Sequence, residues 1–263
     1  MKKIFTLLCG IAFAAQFTTV SAQSTTKMKV YTTDGNVVEY STSEVDSVTF
    51  SAQEDTYAYK IINGHKFINL GLSVLWAETN IGAESAEDYG NYYAWGEVTA
   101  YGENKDWGDK DVKTYYNWNT YKYGTYYDLT KYTSSDQILD DADDAAIVNW
   151  GDPCRMPTED DFKELRNECT WTWDSDKKGY KVTSNKPGYT NNSIFLAAPG
   201  YYANGDLNQT GSQGLYWAKT IYKGRSGNDY CRYAYCLIFN DKGGFWEDRL
   251  RYDGVSVRPV AEP

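Results

Sequence analysis

The chain has 263 residues and carries 26 Lys and Arg against 36 Asp and Glu, which gives a formal net charge of −10 at pH 7. This length suffices for one large domain or two small ones, with a core that needs neither a metal nor a disulfide to fold. The acidic balance argues against nucleic acid and anionic lipid as partners, because both bind basic surfaces. The 25 tyrosines and 9 tryptophans favour strands, turns and contact surfaces over helices.

The N-terminal segment predicts export. Lys2 and Lys3 precede an apolar run at 4–15, and residues 20–22 provide the small side chains of a cleavage site, so residues 1–22 are predicted to be a secretory signal peptide. No later run reaches the roughly 18 apolar residues of a membrane span. We therefore expect an exported chain without membrane insertion, located in the periplasm, on the cell surface or outside the cell.

Residues 23–56 are predicted to form a small β unit followed by a linker. The segment "KMKVYTTDGNVVEY" places two strand-like runs around Asp34-Gly35, a strong hairpin signal, and "EVDSVTF" adds a third run. Three strands make a marginal fold by themselves. The polar stretch 51–56 then separates this unit from a main domain at 57–263.

The main domain begins with another hairpin pattern, in which strand-like runs flank Asn63-Gly64. The Tyr-rich tract at 89–132 lacks a helical period and predicts a long loop with short strands. The segment "LDDADDAAIVNWGD" then predicts a brief helix that begins at its acidic residues.

A longer helix follows "CRMP". Thr158 is a good N-cap, and Asp161 occupies the third helical position of a capping box. Phe162, Leu165 and Cys169 recur at spacings of three and four residues, which predicts three helical turns with one buried face.

The rest of the chain predicts short strands separated by turns rich in Gly and Asn. Strands, few helices, long loops and further strands together indicate an α+β domain with a mixed or antiparallel sheet. The strand-like segments are "GYKVTS", "SIFLAAPGYY", "LYWAKT", "YAYCLIF" and "VSVRPV".

Several segments in fixed order carry a resemblance to a known family: "NLGLSVLWAETNIG", "YYAWGE", "DDAAIVNWGDPCRMPTEDDFKEL", "CTWTW", "GYKVT", "SIFLAAPGY", "GLYWAKT", "YAYCLIF" and "GVSVRPV". Over residues 57–261 the chain resembles secreted Bacteroidetes proteins of the Fibrobacter major paralogous domain type. That family is similar to the C-type lectin-like fold of formylglycine-generating enzymes and retroelement-diversified binding proteins. The resemblance implies an α+β domain with few short helices and long loops, preceded by the small β unit.

In that fold the first and last strands pair, which implies that residues 60–68 lie near residues 255–260. Arg258 then faces solvent or binds a carboxylate at the sheet, and Arg155 has the same two alternatives. A structural ion pair is the interpretation that we favour for both, because an arginine beside a turn often fixes a loop.

Four acidic residues lie ahead of the predicted short helix. Such a loop can bind calcium through its oxygen atoms, but the spacing lacks the glycine and the distal glutamate of an EF-hand. Capping of the following helix is the favoured alternative, and no cofactor is predicted. The four residues are Asp140, Asp141, Asp143 and Asp144.

Four cysteines follow the signal peptide: Cys154, Cys169, Cys231 and Cys236. In an oxidising compartment they favour disulfides, and three pairings are possible. The resemblance gives Cys231 and Cys236 a further alternative, because formylglycine-generating enzymes bind copper with this Cys-x4-Cys spacing, although their Arg-Gly-Gly-Ser motif is absent here. A disulfide or two buried free thiols is the interpretation that we favour.

Conventional catalysis has little support in the sequence. His65 is the only histidine and lies beside a hairpin turn, which disfavours a role as catalytic base. Phosphate-binding and dinucleotide-binding motifs are also missing. We therefore predict a protein that is not an enzyme.

The aromatic residues of the C-terminal part provide the predicted ligand-binding site. Strand alternation places Trp217, Tyr235 and Phe239 in the core. Four aromatic residues are assigned to loops and predicted to contact the ligand, because exposed rings bind with little loss of entropy. They are Tyr202, Tyr222, Tyr230 and Trp246.

The sequence thus predicts an exported adhesin-like or lectin-like protein that recognises a glycan or a protein. A copper-dependent oxidase of the formylglycine-generating type and a structural component of the cell surface or of fimbriae are the two alternatives.

Overall fold

The computed structural model of the chain describes residues 3–8, 27–31, 36–43, 45–51, 57–100, 115–134, 137–223 and 231–263. The chain forms two compact units, Met1–Thr56 and Tyr57–Pro263.

The smaller unit contains two pairs of strands. Strands β2 and β3 form an antiparallel hairpin, and β1 pairs with β4 in parallel. The predicted hairpin and third strand are confirmed, whereas Asp34 and Gly35 lie outside the described residues. Strand β1 falls within the segment predicted to be a signal peptide, which stays a prediction. The strands are β1 (Lys3–Leu8), β2 (Lys27–Tyr31), β3 (Val37–Ser41) and β4 (Val45–Ser51).

The larger unit is mostly β with few short helices. A 3₁₀ turn (Asp141–Asp143) leads into helix α1 (Ala145–Trp150), and helix α2 (Glu159–Glu168) follows. Its strands are β5 (Tyr59–Ile62), β6 (His65–Ile68), β7 (Leu75–Ala77), β8 (Tyr92–Tyr93), β9 (Cys169–Asp174), β10 (Gly179–Ser184), β11 (Ser193–Ala197), β12 (Tyr201–Ala203), β13 (Asp206–Asn208), β14 (Gln213–Ile221), β15 (Tyr233–Asn240), β16 (Phe245–Leu250), β17 (Val255–Ser256) and β18 (Val260–Ala261).

These strands form sheets of mixed and antiparallel type, so the α+β character predicted from the sequence is confirmed. The largest sheet has the order β16-β15-β14-β17-β8, with a parallel β14–β17 pair. A second sheet has the order β18-β7-β6-β5, and a third has the order β11-β10-β9. Strands β12 and β13 form a separate hairpin. The sequence did not predict β16 or the β12–β13 hairpin.

The β5–β6 hairpin closes as its turn residues predict. Ile62 pairs with His65, and Asn63 and Gly64 both have positive φ, at 50° and 85°, as a two-residue turn requires. The Asn63 side-chain amide donates to the carbonyls of Trp150 and Asp152 at 2.9 and 3.0 Å. The turn therefore also supplies a hydrogen-bond donor to the carbonyls at the C-terminal end of α1.

The capping box of α2 is confirmed. The Asp161 N–H donates to the Thr158 hydroxyl, and the Asp161 carboxylate accepts from the Thr158 N–H at 2.7 Å. Phe162 and Leu165 are buried, whereas Cys169 already begins β9. The helix is thus a ten-residue element whose apolar face packs into the core.

The two ends of the larger unit share one sheet, but they do not pair directly as the resemblance implied. Strand β18 pairs with β7, and β7 in turn pairs with β6. A third strand therefore separates residues 60–68 from the C-terminal strand.

The two arginines considered in the sequence have different environments. Arg155 forms the expected ion pair, with Nη1 at 2.8 Å from Asp161. Arg258 neither faces solvent nor forms an ion pair. Its side chain is fully buried and contacts no carboxylate among the described residues. Burial lowers the pKa of Arg258 below its ordinary value.

Neutral oxygen atoms surround the Arg258 guanidinium instead. Its Nε donates to Asn80 Oδ1 at 2.7 Å, and its Nη groups donate to the carbonyls of Ala77, Glu78 and Phe195 at 2.8 to 3.0 Å. The side chain thus connects the segment between β17 and β18 to β7 and β11. The expectation was wrong because the available acceptors are backbone atoms distant in sequence.

The Arg258→Met substitution should destabilise the protein by about 3–5 kcal/mol, because it removes the four hydrogen bonds that the buried guanidinium donates. Urea unfolding measures the change. Arg166→Met is the matched control, since Arg166 pairs with Glu247 at a partly exposed position and should change stability by about 1 kcal/mol or less. Equal losses in the two variants would contradict the role of Arg258.

Candidate functional site

Three of the four residues predicted to contact ligand lie in the described part of the chain, and they differ in exposure. Trp246 is 47% exposed, Tyr202 is 4% exposed, and Tyr222 is half-buried against the core. Tyr230 lies outside the described residues. The rings predicted to be buried, Trp217, Tyr235 and Phe239, are buried as expected.

The expectation that Tyr202 faces solvent from a loop is wrong. Tyr202 is the middle residue of β12, and its ring stacks on Tyr116 at 5.4 Å and meets Tyr92 edge-on at 5.0 Å. Its backbone also forms a bridge with Gly254. The short strand turns the ring inward, where it fills the core beneath the Tyr-rich loop.

Trp246 is exposed as expected, but it lies on a strand and not on a loop. It belongs to β16, at one edge of the five-stranded sheet, and pairs with Ile238 of β15. The neighbouring Phe245 contacts Trp171 at 5.4 Å, so alternation along the strand directs Trp246 to the other face.

Two neighbouring exposed rings lie in the described part of the Tyr-rich tract. Tyr127 is 90% exposed and Tyr126 is 41% exposed, with ring centroids 4.9 Å apart and planes at 82°. Trp118 meets Tyr126 edge-on at 6.0 Å. These three rings form a continuous aromatic surface.

Two residues from the C-terminal part contact these rings, Arg232 at the surface and Tyr252 from the core behind them. The Arg232 guanidinium lies 4.1 Å above the Tyr126 ring, and its Nε donates to the Tyr126 carbonyl at 2.6 Å. Tyr252 meets Trp118 at 5.0 Å. We call Trp118, Tyr126, Tyr127, Arg232 and Tyr252 the aromatic loop face.

Arg251 holds the loop behind this face. Its guanidinium is fully buried and donates to the carbonyls of Tyr132, Cys231 and Lys131 at 3.0, 2.7 and 3.0 Å. Its Nε donates to the Tyr121 hydroxyl at 2.9 Å. One side chain therefore joins the loop at 115–134 to the start of β15 and to the turn after β16.

The acidic residues ahead of α1 are engaged within the protein. Asp144 caps α1 by accepting from the N–H groups of Ala146 and Ile147, so the capping interpretation is confirmed for this residue. Asp143 is buried and binds Lys122 at 3.0 Å and Lys131 at 2.6 Å. These contacts anchor the base of the same loop.

The four cysteines after the predicted signal peptide are buried and free. Of the two favoured alternatives, the structure has buried thiols and no disulfide. Cys231 donates to the Thr133 carbonyl at 2.8 Å, and burial raises the pKa of Cys169 to about 12. Burial raises the pKa of Cys236 as well, so the Cys169 and Cys236 thiols stay protonated at neutral pH.

In the described ranges no group of three or more His, Cys, Asp or Glu side chains is arranged to hold a metal ion. Cys231 and Cys236 have different surroundings, since Cys236 packs in the core beside Trp217 of the neighbouring strand. His65 stacks on Trp150 at 3.6 Å, and burial lowers its pKa. Its ring is thus used in packing.

A narrow recess with no room for a water molecule adjoins the aromatic loop face, whereas a typical ligand pocket has a volume of roughly 300 Å³ or more. Glu97 is 9% exposed and accepts from the Lys122 N–H at 2.9 Å, and burial raises its pKa. The recess suits packing better than binding, which leaves the exposed rings as the candidate site. It is lined by Ala94, Glu97, Tyr115, Tyr116, Asn117, Thr120, Tyr121 and Tyr252.

Sequence reasoning missed Trp118, Tyr126 and Tyr127 as site residues. The signal was present, since they lie in an aromatic tract without helical period. Which rings of such a tract are exposed depends on buried partners such as Arg251, and those partners are distant in sequence.

Comparison with family models, with curated proteins and with solved structures finds no match to this chain. Separately, no helix within the described ranges is long and apolar enough to cross a membrane.

The Arg251→Met substitution should loosen the loop at 115–134, because three backbone carbonyls lose their donor. We expect amide hydrogen exchange in this loop to become about tenfold faster or more. Exchange in the β9–β10–β11 sheet is the internal control and should stay unchanged. Equal acceleration in both regions would contradict the specific role of Arg251.

Proposed function

We propose that the chain is an exported binding protein, and not an enzyme, which recognises a glycan through the aromatic loop face. The observation that carries this proposal is the exposure of Tyr126 and Tyr127 beside the half-buried Trp118. Soluble proteins rarely leave a contiguous group of large rings exposed unless it binds something.

The chemistry of the face favours a glycan. Sugar rings carry C–H groups that pack on aromatic faces, and their hydroxyl groups need polar partners nearby. Exposed polar side chains follow the rings along the same loop, at Asn119, Thr120 and Asp128. A protein ligand is the other class that such a face suits.

A C-type lectin-like fold and a location outside the cytoplasm belong to the same proposal. The mixed sheets, the few short helices and the presence of both ends of the larger unit in one sheet support the fold. The predicted signal peptide at 1–22 supports export. Trp246 is proposed as a second contact, since it is exposed on the edge strand.

We expect Tyr127→Ala to weaken glycan binding about tenfold or more, because the exposed ring contributes contact area without supporting the core. The full chain is first screened on an array of soluble oligosaccharides, and the affinity for the best hit is then measured by calorimetry. Tyr59→Ala is the matched control, since Tyr59 is 52% exposed on β5 and should leave binding unchanged.

Trp246→Ala separates the two candidate surfaces. Loss of binding in this variant, with Tyr127→Ala unaffected, would move the site to the edge strand. If no glycan on the array binds and a protein is captured through Tyr127, the ligand is a protein and not a glycan.

A further inference from the structure

A buried acidic residue lies in the turn that joins β16 to β17. Asp253 is 1% exposed, and its carboxylate lies 2.6 Å from Arg249 Nε. The two atoms are not aligned as a hydrogen bond, and neither Asp253 oxygen has another hydrogen-bond partner in the described parts of the chain. The charge of this carboxylate is therefore balanced by one cation alone.

Arg249 has a second contact that does not need the carboxylate. Its guanidinium lies 3.5 Å from the Tyr201 ring, and its side chain is 27% exposed. A guanidinium on an aromatic face keeps favourable electrostatic contact and part of its hydration. Arg249 can therefore stay in place when Asp253 is neutral.

The turn that carries Asp253 contacts the loop at 115–134. Tyr252, the neighbouring residue, meets the Trp118 ring at 5.0 Å. The Asp253 N–H donates to the Leu250 carbonyl, and Gly254 is bridged to Tyr202. A change in the interaction between Asp253 and Arg249 therefore acts on a short segment whose ends are held by backbone hydrogen bonds.

We propose that Asp253 and Arg249 form a proton-controlled switch in this turn, which alters the packing of Tyr252 on Trp118 when the Asp253 carboxylate gains or loses its proton. The switch is a property of the turn and stands whether or not the aromatic loop face binds a glycan. The other titratable or charged groups that face the pair are Asp248 on β16, Tyr201 on β12, Tyr233 and Cys236 on β15, and Tyr252 in the turn.

The direction of the pH effect follows from burial. Burial raises the pKa of Asp253 to about 7, and the attraction of Arg249 offsets only part of that rise. Between about pH 4 and pH 7 the folded protein binds this proton and the unfolded chain does not. The contribution of Asp253 to stability is therefore full below about pH 4 and is lost as the pH rises through 7.

The test is an NMR titration of the full chain that follows the ¹³C carboxyl signal of Asp253 and the indole N–H signal of Trp118. We expect both signals to titrate with a midpoint near pH 7 in the wild type. In Asp253→Asn the Trp118 signal should lose this transition, and in Arg249→Gln the Asp253 midpoint should move to higher pH. A midpoint for Asp253 below pH 5 would overturn the proposal.

Stability against pH gives a second measurement. The slope of the unfolding free energy between pH 4 and pH 7 reports the protons taken up on folding. A loss of stability that does not depend on pH leaves this slope unchanged. Asp253→Asn should lower that uptake by close to one proton. Asp206→Asn, at an exposed position of β13, is the control and should leave the slope unchanged. A wild-type slope in Asp253→Asn would contradict the switch, and if this variant does not fold, the wild-type titration decides.

Discussion

Buried backbone carbonyls need hydrogen-bond donors, and the larger unit supplies several of them from long side chains. Arg251 supplies three carbonyls around the loop at 115–134, and Arg258 supplies three more between β7 and β11. Neither guanidinium is paired with a carboxylate among the described residues. The positions of the loops relative to the sheets depend on these two side chains.

Tyrosine and tryptophan side chains also donate hydrogen bonds to buried carbonyls. A tyrosine or tryptophan fills a large volume and still ends in a donor, so it can pack in the core and satisfy a distant carbonyl at once. Six buried contacts of this kind are 2.7 to 2.8 Å long: Tyr92 to Pro199, Tyr116 to Tyr92, Tyr121 to Trp95, Trp95 to Ala218, Tyr216 to Ala197 and Trp217 to Tyr93. Most of the described rings of the Tyr-rich tract are therefore structural, and the exposed ones among them are available for a ligand.

This division between structural and exposed rings explains what the sequence could predict. The Asn63-Gly64 turn, the capping box at Thr158 and Asp161 and the cap at Asp144 depend on neighbours within a few residues, and each is confirmed. The burial of Tyr202 and the partners of Arg258 depend on contacts between residues far apart in the chain. Strand β16 was missed because "FWEDRL" carries polar residues at an exposed edge, where the alternating pattern is weak.

The position of Asn63 has a consequence for how the chain unfolds. Helix α1 has only six residues and would not persist alone, yet its last carbonyls are bound by a side chain from a hairpin 87 residues earlier. The hairpin and the helix should therefore open together as one cooperative unit, with similar protection factors for their amides. Local fraying at this end of the domain would then involve two segments that are remote in sequence.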